Sequence, residues 1–231
     1  MASPKSSYGL AAKSLAVLRK DILSEYRTRY AINAILLFGV TTLTVVSFAV
    51  GQIGLPAEVY AALFWIIIFF SAMSGLAQVF VKEEESKTAI ILKLTADPTP
   101  VYWGKLIFNF LLLMLLEVII TPLYFVMTDV VLYNAALFFT VLILGSIGLA
   151  GATTLIAAII SRASIKGALF AVLSFPILLP LLIGAIGGTK KALGPVETPF
   201  AAASSELQLL VSYAVVMITA SVLLFEFVWE E

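Results

Sequence analysis

The chain contains no cysteine and no histidine. That excludes disulfides, thiol redox chemistry, Cys/His metal sites, His general bases and axial haem ligation by either residue. Only Met and Tyr remain as potential haem ligands. A phosphate loop is missing too, because Gly187-Gly188-Thr189-Lys190 lacks the G-x-x-x-x-G-K-[ST] spacing. If the protein runs on energy, another subunit supplies it. Charge is also scarce: charged residues make up 12%, about half the usual ~25% of a soluble domain.

What is abundant is apolar sequence. Hydrophobic residues reach 61% and the mean hydropathy is +1.09, so lipid is the solvent for most of the chain. Six windows pass the length test of about 20 apolar residues for a crossing helix. They cover residues 31–51, 61–81, 106–127, 131–160, 167–187 and 207–229. The fourth is too long for one straight crossing and is expected to be tilted, broken or partly interfacial. Together they leave no room for a soluble domain. The sequence therefore predicts an all-α membrane protein with one transmembrane domain over residues 1–231.

Basic residues set the expected orientation. With the N-terminus inside, twelve lysines and arginines fall on cytosolic segments and only Lys190 and Lys191 on outer ones. This positive-inside bias predicts cytosolic termini. Over residues 8–30, Ala11, Leu15, Leu18, Ile22 and Tyr26 recur at steps of four, three, four and four, with Lys13, Arg19, Lys20 and Arg27 off the stripe. That pattern predicts an amphipathic interfacial helix on the bilayer surface.

Residues 82–105 form a charged island holding eight of the 28 formal charges. Glu83, Glu84 and Glu85 open it, Glu83 stands four residues before Lys87, and Ile90, Ile91 and Leu94 make an apolar patch at helical spacing. Asp97-Pro98-Thr99-Pro100 is read as a helix stop, after which Trp103 and Lys105 anchor the third span. One reading makes Glu83, Glu84, Glu85, Lys87, Ile90, Ile91 and Leu94 a surface that docks on a cytosolic partner. The other is an ordinary polar connector.

Within the apolar windows, Gly145, Gly148 and Gly151, and also Gly184 and Gly188, point to close helix packing. Pro176 and Pro180 predict a kink or a partly unwound segment in the fifth span. Residues 187–206 are long enough for a re-entrant segment on the outer side. Glu117 is an intramembrane carboxylate, with Asn109 about two turns earlier on nearly the same face; a functional site and a structural polar seam both fit.

This assembly resembles an ABC-2 type (type V exporter-like) permease. More narrowly it is similar to the haem exporter protein B family, the membrane subunit of the bacterial cytochrome c maturation ABC transporter. The resemblance rests on Phe80 with the acidic run, Leu92–Leu94, Pro98–Lys105, Thr121-Pro122-Leu123, Leu144-Gly145 and, most specifically, Phe175-Pro176-Ile177-Leu178-Leu179-Pro180-Leu181-Leu182-Ile183. The chain departs from the family at Asn109-Phe110, where His-Trp is common, at Leu116, where Pro is common, and at Glu117, where an apolar residue is expected.

The resemblance implies a non-catalytic subunit of the bacterial inner membrane that forms a homodimer on a cytosolic ATP-binding subunit. It implies further partners: a haem-handling membrane subunit, a small single-span subunit and a periplasmic haem chaperone. No cofactor is then bound directly, haem and ATP being held by partners, and nucleic acid plays no part. Two other functions remain compatible with the residues: an ABC-2 permease for a lipid, drug or glycan, and a membrane assembly scaffold without a motor.

Overall fold

The computed structural model describes residues 9–51, 54–76, 80, 83, 92, 94, 96–160 and 166–230, with side chains described at all of these except 166–171 and 230. The chain forms α1 (Leu10–Thr28), α2 (Tyr30–Val50), α3 (Ala57–Gly75), α4 (Pro98–Thr128), α5 (Ala135–Ile160), α6 (Lys166–Ala192), the short α7 (Pro199–Ala202) and α8 (Ser204–Glu230). Six of these, α2 to α6 and α8, contain a stretch long and apolar enough to cross a membrane. They alternate in direction. One end, the near end, gathers α1, Phe80, Glu83, the start of α4 and the end of α8. At the opposite, far end, Tyr124 donates to the Tyr60 carbonyl at 2.6 Å and Ser47 donates to the Met127 carbonyl at 2.9 Å.

Several boundaries differ from the expected ones, each for a local reason. Pro98 and Pro100 begin α4 rather than merely ending the preceding segment: Asp97 is extended, and proline in a first turn gives up only donors that have no partner there. Lys105 consequently lies inside α4. α5 starts at Ala135 rather than 131, because Asn134 Oδ1 accepts the Leu137 N–H at 2.8 Å and caps it. Residues 131–134 of the fourth window are thus an irregular linker before this cap, and α5 at 26 residues remains longer than the about 20 a straight crossing needs.

α6 stays helical through Pro176 and Pro180 instead of unwinding. Tyr213 of α8 donates to the Ile177 carbonyl at 3.0 Å, occupying an acceptor one turn before Pro180. α6 also continues to Ala192, so the stretch 187–206 opens with a helix end and goes on through a turn to the four-residue α7.

Glycines permit the tight crossings. A Cβ on Gly145 would run into the Trp65 indole, and one on Gly75 into Ile35. Trp65 is thereby fully buried, and its Nε1 donates to Thr189 Oγ1 at 2.8 Å, joining α3 to α6. The α1–α2 bend turns on Arg29, whose φ of 52° is left-handed. Glu25 Oε1 accepts the Ile32 N–H at 3.0 Å and serves α2 as a long-range cap.

Candidate functional site

The near end holds an internal charge clamp. α1 packs on α4, with Ser14 and Val17 against Gly104 and Asp21 at Lys105, and Leu18 and Glu25 are buried as well. Of the expected membrane-facing stripe, Ala11, Leu15, Ile22 and Tyr26 do face outward, whereas Leu18 turns into the protein. Asp21 reaches the interface because α4 presents Lys105 there. The Lys105 side chain is 0% exposed, with its Nζ 3.1 Å from Glu83 Oε1 and 3.4 Å from Asp21 Oδ2. Lys20 Nζ approaches Asp21 Oδ1 at 3.2 Å and also pairs with Glu83.

Among the described residues, two lysines therefore face two carboxylates, and these four side chains sum to zero charge. Burial alone would lower the Lys20 pKa, but the Asp21 and Glu83 carboxylates outweigh it and hold the ammonium above its ordinary range. An aromatic floor lies beneath. Lys105 Nζ sits 4.7 Å from the centre of the Phe80 ring, a cation–π distance. Phe80 in turn packs on Phe225 and Trp229 of α8 with ring centroids 5.7 and 6.5 Å apart. At the rim, Lys13 reaches Asp97 at 2.7 Å. Phe80 and Glu83, both helical, thus meet α1, α4 and α8 together.

Among the anticipated loop residues, Glu83 is 8% exposed and turned into this clamp, whereas Leu94 is 81% exposed. Leu92 is half-buried against the core. Glu84, Glu85, Lys87, Ile90 and Ile91 lie outside the described residues. Asn109 and Glu117 come together in one buried seam between α4 and α5. Asn109 Nδ2 donates to Thr154 Oγ1 at 2.8 Å and Ser146 donates to Glu117. Both Pro176 and Pro180 are exposed on α6. Sequence reasoning missed Lys20, Asp21, Lys105 and Phe80 as one unit. The available signal was Asp21 lying off the apolar stripe of α1 while a lysine stood near the start of the third span.

Six helices long and apolar enough to cross a membrane, a preceding amphipathic helix and Glu83 held to the bundle by buried charge make this a helical membrane permease. The chain matches the family described as CcmB protein over residues 12–227 and belongs to it, the haem exporter protein B family. It is accordingly a multi-pass inner-membrane component of the cytochrome c maturation haem exporter. None of the curated proteins matches the chain.

Proposed function

We propose that this subunit couples ATP hydrolysis by a cytosolic ATP-binding partner to haem delivery, or to release of the haem-loaded periplasmic chaperone. The observation that carries this reading is the Glu83–Lys105–Asp21 clamp. A push on the loop after α3 reaches α1 and α4 through buried ion pairs and α8 through the Phe80 stack. Such contacts add little net stability for their cost, yet hold geometry tightly.

In this reading the near end faces the cytosol, and the subunit works as a homodimer. Leu94, with Ile90, Ile91, Glu84, Glu85 and Lys87 beside it in sequence, docks on the ATP-binding subunit, while Glu83 is the inward anchor. The haem-handling membrane subunit and the small single-span subunit complete the complex. Haem and ATP are held by partners. A chain without His or Cys suits a subunit that transmits motion. Asn109 and Glu117 act as glue between α4 and α5.

The test is Glu83→Gln in the assembled transporter. Assembly and ATP hydrolysis should persist while ATP-dependent release of the haem-loaded chaperone falls. Release at the wild-type rate would sink the coupling role. A strain lacking the chain should fail to mature c-type cytochromes although haem synthesis is intact.

A further inference from the structure

At the far end, α3, α6 and α8 line an open cavity of about 540 Å³. Its rim carries two lysines and two carboxylates. Lys190 Nζ lies 2.7 Å from Glu58 Oε2, and Lys191 Nζ lies 2.7 Å from both oxygens of Glu206. Each sign sits where its helix favours it: the acids in the first turns of α3 and α8, the lysines in the last turn of α6.

The two pairs are not equivalent. Lys191 also donates to the Ala202 carbonyl at 2.6 Å, and its pair is mostly covered. Lys190 and Glu58 stand open at the mouth, with side chains 49% and 64% exposed. A lysine has three donors, so Lys190 keeps capacity beyond this one contact, as does the second oxygen of Glu58. Below the rim the wall is apolar. Ile183 is 66% exposed, and it continues with Leu179 and Leu209 into a strip running toward the bilayer interior.

We propose that this cavity seats a phospholipid whose headgroup carries both a phosphate and a primary ammonium, as in phosphatidylethanolamine. The phosphate binds Lys190, the ammonium binds Glu58, and one acyl chain follows Leu179, Ile183 and Leu209. Charge balance selects the zwitterion. The rim sums to zero, so an anionic head would bring its phosphate against Glu58 without a compensating cation. A cationic head would meet Lys190 in the same way. A choline head is zwitterionic too, but its quaternary nitrogen has no N–H to donate to Glu58. The exposed Lys190–Glu58 pair is weakly held and can open around the headgroup at small cost.

Native mass spectrometry of the full chain, released from nanodiscs of equimolar phosphatidylethanolamine, phosphatidylcholine and phosphatidylglycerol, tests this. The wild type should retain one phosphatidylethanolamine over either competitor by about tenfold, the ratio that a 1.4 kcal/mol difference gives. Lys190→Gln and Glu58→Gln should each abolish the preference, whereas Lys190→Arg should keep it, which separates a lost ligand from a disturbed fold. Preference for phosphatidylglycerol would assign an anionic amphiphile to the cavity and overturn the proposal. Equal retention of all three lipids, or a preference unchanged in Lys190→Gln, would overturn it as well.

Discussion

Gly104 of α4 lies so close to Val17 of α1 that a Cβ on Gly104 would stand 2.7 Å from Val17 Cβ and 2.9 Å from the Ser14 carbonyl oxygen. Only a residue without a side chain permits this crossing, and the crossing brings the next residue, Lys105, to Asp21. Gly104→Ala must therefore push α1 outward. Overpacking of this kind costs about 1–3 kcal/mol. Thermal unfolding in detergent should show the loss, and Val17→Ala in the same chain should recover part of it. An additive pair would mean that the helices separate freely.

Removing one member of the clamp leaves buried charge uncompensated. Lys105→Met should destabilise toward the lower part of the usual ~3–5 kcal/mol, because Lys20 still faces both carboxylates. Lys105→Met/Glu83→Leu removes a charge of each sign and should be more stable than Lys105→Met alone. Stability measurements on the four proteins give the coupling directly.

The clamp also predicts a pH profile. Lys20 is held above its ordinary value of 10.5 by Asp21 and Glu83 against the opposing effect of burial. A group raised on folding contributes stability that is fully present below the unfolded pKa and is lost as pH rises through the folded one. Unfolding midpoints of Lys20→Met and wild type should therefore differ by a constant amount between about pH 6 and about pH 9, and converge only above about pH 10.5. Convergence near neutral pH would mean that Lys20 is not paired in the folded protein.

The crossing helices were legible because hydropathy alone marks a stretch that lipid must solvate. Their ends were less so. Pro98 and Pro100 read equally well as a stop or as a start, and only the extended Asp97 before them decides. The clamp was hidden for a different reason. Glu83 stands 63 residues from Lys20, and nothing local shows that a glutamate in an acidic run turns inward. The stripe on α1 is apolar, but the face that packs is the neighbouring one, set by Gly104 and by charge. Pairings such as Trp65 with Thr189, 124 residues apart, leave no periodic trace at all.

The α4–α5 seam is suited to double-mutant cycles. Hydrogen bonds between membrane helices contribute about 0.6 kcal/mol on average and at most about 1.7. Asn109→Ala with Thr154→Ala, and Glu117→Ala with Ser146→Ala, should each show coupling in that range when unfolding is followed in mixed micelles. The crossed pair Asn109→Ala with Ser146→Ala shares no contact and should be additive. Equal coupling in all three cycles would mean that α4 and α5 shift as a body and that the individual bonds carry no separate weight.

Orientation and docking can be read in one experiment, since the chain has no native cysteine. Leu94 is 81% exposed at the near end, and Thr198 is exposed on the turn at the far end. The basic residues cluster on near-end segments, which the positive-inside rule places in the cytosol. A membrane-impermeant maleimide applied to spheroplasts should therefore label Thr198→Cys and leave Leu94→Cys untouched, and permeabilisation should expose Leu94→Cys. Labelling of Leu94→Cys before permeabilisation would invert the topology and remove the loop from reach of a cytosolic ATP-binding subunit. If the topology holds, adding that subunit to the permeabilised membranes should slow labelling of Leu94→Cys severalfold while Ser24→Cys on α1 reacts as before. Unchanged labelling at both positions would place the docking surface elsewhere on the near end.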